Sequence, residues 1–165
     1  RVQNFLAVLL TLVLAACAGT PTTPHSASRS PGERPASTPK GNDVVLFALG
    51  LIDTGYRFGG KNPEAGLDCS GMVTYIYGRA VGVKVPGSAA DIAKRGRPVA
   101  RERLRPGDLV FFNTRNFSAS HVGIYIGDDR FVHAPSGGGR ARVRTESLKT
   151  PYFASRLEAA RSLLE

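Results

Sequence analysis

The spacing of apolar residues changes along the chain from a helical to a strand-like period. Before residue 105, apolar side chains recur three or four positions apart, which predicts helices. After the tetrapeptide RPGD (105–108), the apolar residues are β-branched or aromatic and are bounded by Gly, Pro, Asn and Asp, which predicts strands. Helices followed by strands favour an α+β domain, with the helices packed on one face of an antiparallel sheet.

Three helices are predicted before this change of period, each from a polar capping residue followed by apolar positions on one face. The first helix begins at Asn42 or Asp43, the second at Asp68 and the third at Ser88. Ser88 and Asp91 have the spacing of a capping arrangement. The apolar positions of the first two helices are Val44, Val45, Ala48, Leu51 and Ile52, followed by Met72, Val73, Ile76, Tyr77 and Ala80.

Four strands are predicted after residue 108, over 109–113, 121–127, 130–135 and 140–145. If residues 127–129 form a three-residue loop, Gly123 pairs with His133, and His121 and His133 become diagonal neighbours on one face. A two-residue loop would place the two histidines on opposite faces. The tail RLEAARSLLE (156–165) has helical propensity.

The N-terminal part of the chain predicts export and a lipid anchor. The apolar run FLAVLLTLVLAA (5–16) is shorter than the ~20 residues that span a bilayer, and it has the length of the apolar region of a secretory signal. The tetrapeptide LAAC, which ends at Cys17, resembles the lipobox of bacterial lipoproteins, in which the peptide is cut before a cysteine that carries the lipid. A plain signal peptide with an incidental cysteine is the alternative. Since Ala18 and not Asp follows, the sorting habit of such lipoproteins implies the periplasmic side of the outer membrane.

The composition of residues 18–41 predicts where the folded domain begins. Residues 18–41 are rich in Pro, Ser and Thr and contain almost no large apolar side chains, which predicts a disordered tether. We therefore expect a signal peptide over 1–16, a lipidated Cys17 and tether over 17–41, and one domain over 42–165. The formal net charge of +9 suits anionic wall polymers or lipid headgroups in an exported protein, but it suits a soluble basic surface equally well.

Cys69 lies where a nucleophilic cysteine is expected. A thiol in the first turn of a helix meets the positive end of the helix dipole, which is expected to lower its pKa toward the reactive thiolate. The free N–H groups of the same turn can hold the oxyanion of an acyl-transfer intermediate. Two adjacent imidazoles, His121 and His133, suit a base and the group that orients it.

Other interpretations of these residues remain open from the sequence. Cys69 is also compatible with a small buried core residue or with a disulfide to Cys17, although lipidation of Cys17 leaves Cys69 unpaired. A zinc site of Cys69, His121 and His133 lacks a fourth protein ligand and a paired-ligand motif. His133 alone is compatible with an ordinary histidine of a strand.

Four ordered motifs resemble one family. YRFGG (56–60), DCSG (68–71), RPGDLVFF (105–112) and HVGIYIGDDRFVHAPSGG (121–138) together are similar to the NlpC-type cell-wall cysteine endopeptidases, from about residue 43 to the C-terminus. The resemblance implies a compact papain-like fold and a strand near 157–163. It also implies that Cys69 is the nucleophile, His121 the base and His133 the third polar residue.

The resemblance extends to the substrate and its binding residues. It implies that Tyr56 lies beside the nucleophile and that Asp68, Ser70 and Ser120 line the substrate groove. The family cleaves stem peptides of peptidoglycan, often next to diaminopimelate, and needs no metal or cofactor. Relatives often have a proline followed by Arg and, further on, Gln, whereas this chain has Pro86-Gly87 and Ile92. One wall of the groove is therefore expected to be less polar.

These observations predict a lipid-anchored peptidoglycan endopeptidase that cleaves stem peptides or their cross-links. We expect a monomer that binds peptidoglycan stem peptides and, through its lipid, a membrane, but no nucleic acid. Arg57, Lys61 and Arg115 are candidates for pairing with acidic groups of the stem peptide. The alternatives are a papain-like acyltransferase or amidase and a non-catalytic wall-binding lipoprotein, which would not need a nucleophile.

Overall fold

The computed structural model describes residues 35–137 and 141–164. The predicted signal peptide, Cys17 and most of the predicted tether lie outside these residues. The helices are α1 Pro39–Gly50, α2 Cys69–Val81, α3 Ala89–Ile92 and α4 Pro151–Ala154, with a 3-10 turn at Arg101–Arg103. The strands are β1 Lys61–Asn62, β2 Gly66–Leu67, β3 Arg97–Pro98, β4 Leu109–Phe112, β5 His121–Gly127, β6 Arg130–His133, β7 Arg144–Ser147 and β8 Leu157–Ser162. None of the helices in the described ranges is long and apolar enough to cross a membrane.

Six strands form one sheet in the order β3-β8-β4-β5-β6-β7, and every neighbouring pair is antiparallel. Helices α1, α2 and α3 pack together on one face of this sheet, where they contact β5. The predicted α+β class, with helices on an antiparallel sheet, is confirmed.

The sheet is covered on both faces. Leu109 and Phe111 of β4 face the helices, whereas Phe112 faces a second apolar cluster that also holds Phe131 and Phe153. Because both faces are buried, β4 has four consecutive buried apolar residues and no polar alternation. On β5, successive side chains enter the two clusters alternately, as the period of a strand requires.

Helix α1 begins earlier than predicted. Its N-cap is Thr38, whose side chain accepts a hydrogen bond from the Gly41 N–H at 3.0 Å, and Pro39 occupies the first helical position. Pro is favoured there because its ring fixes φ and its missing N–H would have no helical partner. The predicted start of this helix at Asn42 or Asp43 is therefore wrong.

The last strands show how pairing at long range decides local structure. Of the strand predicted over 140–145, residue 140 lies outside the described residues, and β7 begins at Arg144. The backbone N–H of Val143 instead donates to the carbonyl of Thr54, in the loop after α1, at 2.9 Å. The tail has helical propensity but forms the strand β8, as the family resemblance implied, and β8 pairs with β4. Burial of β8 beside β4 therefore outweighs the intrinsic preference of the tail.

Candidate active site

Cys69 is the first residue of α2, and Asp68 holds the turn around it. The Asp68 Oδ1 accepts hydrogen bonds from the Gly71 N–H at 2.7 Å and from the Ser70 hydroxyl at 3.0 Å. Its Oδ2 accepts another from the Gly59 N–H at 2.9 Å. The predicted N-cap is confirmed, and these bonds fix the backbone that carries Cys69.

The loop before α2 lies against the start of this helix through two glycines. The carbonyl oxygen of Gly60 accepts a hydrogen bond from the Asp68 N–H at 3.1 Å. A Cβ on Gly71 would overlap with this same oxygen, so only glycine lets the loop and the helix approach so closely. The motifs YRFGG and DCSG therefore form one structural unit that positions Cys69.

The hairpin β5–β6 has the predicted register but a different turn. Asp128 and Asp129 form a two-residue turn with φ values of 52° and 56°, as a type I′ turn requires. A bulge between Tyr125 and Gly127 adds one residue to β5 and restores the pairing of Tyr125 with Phe131. The predicted three-residue loop is wrong, but the bulge has the same effect on register.

The hairpin brings His121 and His133 together on one face of the sheet. Nε2 of His121 and Nδ1 of His133 are 2.7 Å apart and share one hydrogen bond. The two rings are nearly perpendicular, at 80°. The remaining nitrogen of His133, Nε2, is buried and has no hydrogen-bond partner among the described residues.

Burial keeps both imidazoles neutral. His133 is 1% exposed, and its ring packs edge-on against Phe153 with 5.4 Å between ring centroids. Loss of water is the main cause that lowers the pKa of each histidine, and the positive charge of Arg115 lowers the pKa of His121 further. A positive charge on His121 or Arg144 lowers the pKa of His133 further.

The expected low pKa of Cys69 is not found. Burial of the thiol raises its pKa above the ordinary value, and the Asp68 carboxylate adds to this effect. The N–H groups of Val122 and Ser70 and the charge of Arg115 act in the opposite direction, but burial outweighs them. The prediction from the helix dipole is therefore wrong for the resting protein, in which Cys69 is a neutral thiol.

The loop between β4 and β5 carries Arg115 and is held at both ends. The Ser120 hydroxyl accepts hydrogen bonds from the N–H groups of Thr114 and Arg115 at 2.8 and 3.1 Å. Glu158 of β8 accepts from the Ala119 N–H at 2.8 Å. Glu158 could not be predicted from the sequence as a partner of this loop, since no local signal connects two residues that are 39 positions apart.

The four predicted substrate-binding residues lie around the start of α2 and the start of β5. Asp68 and Ser70 flank Cys69, and Ser120 precedes His121. Tyr56 is half-buried and pairs with Leu67, just before the N-cap. The hydrogen bonds of Asp68 and Ser120 give both residues a structural role, and contact of any of the four with substrate remains a prediction.

A cavity of about 420 Å³ adjoins the histidine pair. Both imidazoles line it, together with side chains from the β4–β5 loop, β7 and α4, whereas Cys69, Asp68 and Ser70 do not. Within residues 35–137 and 141–164, no group of three His, Cys, Asp or Glu side chains is arranged to hold a metal ion.

Comparison with known proteins identifies relatives of this site and fold. The model of the NlpC/P60 family matches residues 53–162. Gamma-DL-glutamyl hydrolase of Bacillus subtilis (strain 168) is 38% identical over 119 residues, which are 72% of this chain and 28% of the relative. Murein DD-endopeptidase MepS/Murein LD-carboxypeptidase of Escherichia coli (strain K12) is 31% identical over 174 residues, covering 96% of this chain and 90% of the relative.

A solved structure shows the same architecture. An NlpC/P60 family protein from Bacillus cereus ATCC 10987 superposes with a TM-score of 0.69 at 29% identity, covering 81% of this chain and 42% of that chain. The chain thus spans less than half of two of these three proteins and most of the third. The predicted papain-like α+β fold is confirmed by this likeness.

Proposed function

Because the chain belongs to the NlpC/P60 family, we propose that it is a cysteine peptidase that hydrolyses amide bonds of peptidoglycan, within the stem peptides or at their cross-links. The hydrogen bond between His121 and His133, beside a helix that begins with Cys69, is the observation that supports this best. The Val122 N–H also acts on the Cys69 thiol, which links the nucleophile to the strand that starts at His121. We infer that Cys69, His121 and His133 lie in this order, as nucleophile, base and orienting group, which is the order that acyl transfer requires.

The neutral resting state defines the first chemical step. The Cys69 thiol proton moves to His121 as the sulfur attacks the amide carbonyl carbon. The C–N bond then breaks, His121 gives this proton to the leaving nitrogen, and the acyl group stays on Cys69 as a thioester. Water attacks the thioester, its proton passes through His121 to the departing sulfur, and the carboxylic acid is released.

The hydrogen bond between the imidazoles sets which nitrogen of His121 accepts the proton. Nε2 of His121 is used by the bond to His133, so Nδ1 is the atom that remains for the thiol. For Nδ1 to accept a proton, Nε2 must already carry one and donate it to Nδ1 of His133. His133 thereby fixes the tautomer of the base and supports the imidazolium that forms.

Backbone N–H groups at the start of α2 supply the oxyanion site. The first N–H groups of a helix have no intrahelical carbonyl partner. One of them, the N–H of Gly71, is used by the Asp68 cap, whereas the N–H of Cys69 belongs to the same residue as the attacking sulfur. A donor in this position stabilises the charge that develops on the carbonyl oxygen.

The chemistry of the site favours peptide bonds over glycosidic bonds, but the activities for which two relatives are named concern different bonds. One relative is called a gamma-DL-glutamyl hydrolase and another a murein DD-endopeptidase and LD-carboxypeptidase. The three inferred catalytic groups, Cys69, His121 and His133, do not include the carboxylate pair that glycoside cleavage uses. We therefore propose an amide bond of the stem peptide or of the cross-link as the target.

The test is digestion of purified diaminopimelate-type peptidoglycan by the full chain, followed by mass spectrometry, with Cys69→Ala as the inactive control. We expect peptide fragments to be released while the glycan strands stay intact. New amino termini on diaminopimelate within the stem would identify stem cleavage, and loss of dimeric muropeptides with intact stems would identify cross-link cleavage. Cut glycan strands with untouched peptides would contradict the proposal. Transfer of the acyl group to an added amine would favour the acyltransferase alternative.

We further propose that Cys17 carries a lipid that anchors the protein to the periplasmic side of the outer membrane. The apolar run 5–16 and the tetrapeptide LAAC support this. Several acyl chains on one residue bind a membrane stably, because each buried CH₂ contributes about 0.8 kcal/mol. Cys17→Ser should move the protein from the membrane fraction to the soluble fraction, whereas Cys69→Ala should not. Retention of the serine variant in the membrane fraction would refute the anchor.

A further inference from the structure

A second cavity, of about 540 Å³, lies where the chain that precedes α1 joins the domain. Its lining includes Thr38, which is the N-cap of α1, together with Arg97 of β3 and Arg105. A Cβ on Gly41 would overlap with the carbonyl oxygen of Pro106, so the first turn of α1 packs directly on the turn that follows Arg105. The two arginines therefore stand at the point where the chain enters the domain.

This cavity and the proposed active site lie at opposite ends of β5. The Gly107 N–H donates to the Tyr125 carbonyl at 2.8 Å, and the Tyr125 N–H donates to the Asp108 carbonyl at 2.8 Å. Tyr125 follows His121 by four positions on β5, which corresponds to ~14 Å of strand. The end of the sheet that carries the catalytic base is thus remote from the entry of the chain.

Both arginines in the cavity act on one buried carboxylate. Asp108 is 3% exposed, and its Oδ2 accepts a hydrogen bond from the Arg105 N–H at 2.8 Å. Burial raises the pKa of Asp108, whereas this N–H, the Ser162 hydroxyl and the charges of Arg97 and Arg105 act in the opposite direction, so both guanidinium groups lie near this carboxylate. Neither guanidinium makes a hydrogen bond or a salt bridge with a residue that the structure describes. Two positive charges beside one negative charge leave the cavity with a net positive charge and free donors.

The lining of the cavity fits a phosphate that is attached to an apolar chain. Guanidinium groups bind phosphate oxygens through pairs of N–H donors. Leu163 and Leu164, both half-buried, give the same cavity an apolar side. A phospholipid presents a phosphate and an apolar chain together, whereas a wall polymer has no such apolar part. Residues 94–105 also contain six basic residues and one acidic residue, and each basic residue close to an anionic lipid surface strengthens binding about fivefold.

We propose that this cavity docks the domain on a membrane surface that contains anionic phospholipids, with Arg97 and Arg105 binding a headgroup phosphate. The inference rests on the proposed lipid anchor at Cys17, which precedes Thr38 by 21 positions, a length of chain that spans at most about 75 Å. Because the anchor keeps the local concentration of lipid high, a weak affinity of the cavity suffices for docking. A domain docked in this way directs the opposite end of β5, with His121, away from the membrane and toward the peptidoglycan.

The experiment measures the binding of the full chain to lipid vesicles by sedimentation, in a Cys17→Ser background that removes the proposed site of acylation. Vesicles of phosphatidylcholine are compared with vesicles that also contain phosphatidylglycerol, and the readout is the ratio of the two partition coefficients. The contribution of the apolar run 5–16 does not depend on headgroup charge and cancels in this ratio. We expect a ratio of at least about thirtyfold, and a ratio at least about tenfold lower when Arg97→Gln and Arg105→Gln are added.

The matched control removes the same charge elsewhere. Arg79 and Lys84 are exposed and lie outside the cavity, so Arg79→Gln combined with Lys84→Gln should leave the ratio unchanged. Melting temperatures show whether both double variants fold. If the cavity variant does not fold, Arg97→Gln alone, at an exposed side chain, provides the same test and should lower the ratio at least about threefold.

Three results would overturn the inference. They are a ratio near one in the Cys17→Ser chain, an equal loss in the cavity variant and the control, and a cavity variant that loses binding to purified peptidoglycan while its vesicle binding is unchanged. The last result would assign the two arginines to a wall polymer. Release of peptides from peptidoglycan, measured without vesicles, should be the same in the cavity variant and the wild type. Absence of release in every variant would refute the peptidase function, and this result is distinct from any change in the vesicle ratio.

Discussion

The structure predicts that Cys69 reacts as a buried thiol and not as a preformed thiolate. Burial raises the pKa of Cys69, and burial lowers the pKa of His121, so each shift disfavours the charged form of its own group. A thiolate–imidazolium pair would need both shifts to be reversed. The fraction of thiolate at a given pH is the quantity that separates these two descriptions.

The expected pH dependence of the alkylation rate follows from the pKa of an unperturbed cysteine thiol. A cysteine with a pKa of about 8.5 is ~3% thiolate at pH 7, and a higher pKa leaves less. Alkylation rates follow the thiolate, so the rate for Cys69 should rise about tenfold per pH unit, or ~100-fold from pH 6 to pH 8. A thiolate–imidazolium pair that forms below pH 6 would instead react at a nearly constant rate over this interval.

The assay is alkylation by iodoacetamide in a Cys17→Ser background, where Cys69 is the only thiol because the chain has two cysteines. Iodoacetamide is neutral, so Arg115 does not attract it. The same variant unfolded in urea provides the ordinary thiol as a reference, and the folded protein should react more slowly at each pH. Arg115→Gln should slow the folded protein further, because the arginine lowers the pKa of Cys69. A rate independent of pH between 6 and 8, or faster than in the unfolded chain at pH 6, would refute the neutral thiol.

Three further predictions concern the roles of the two histidines, the pH dependence of folding stability, and the contact between Gly71 and the loop at Gly60. In a peptidoglycan-release assay, His121→Ala should be nearly inactive. His133→Gln should keep measurable activity, because its amide oxygen can still accept a hydrogen bond from Nε2 of His121. If His121→Ala is the more active variant, the two roles must be exchanged. Since the pKa values of both histidines are lowered by folding, the unfolded chain binds more protons below pH 6.5. Stability should therefore be complete above pH 6.5 and fall by up to ~1.4 kcal/mol per pH unit for each histidine as the pH drops. Urea midpoints at pH 7.5 and 5.5 should differ less in His133→Gln than in the wild type, and equal differences would contradict this. Gly71→Ala should destabilise the fold by about 1–3 kcal/mol and reduce activity, since the added Cβ displaces the Gly60 carbonyl. The control is Gly78→Ala, at a helix position with open space around it, which should leave the stability unchanged or raise it.

The parts of the site that depend on local signals could be predicted from the sequence. Asp68 is a strong N-cap and stands directly before an apolar helical stripe, so the position of Cys69 at the start of a helix follows from a few neighbouring residues. The strand period likewise places His121 and His133 on one face once the register is known. The register itself depended on the count of loop residues, and the bulge at Gly127 compensated for a turn that is one residue shorter than predicted.

The parts that depend on distant contacts could not be predicted in this way. The start of α1 was hidden because Thr38 and Pro39, a good helix start, stand at the end of a segment with the composition of a tether. The strand β8 was expected only from the family resemblance, since its sequence favours a helix. The raised pKa of Cys69 arises from tertiary burial, which no local pattern reports and which outweighs the hydrogen bonds from the Val122 and Ser70 N–H groups.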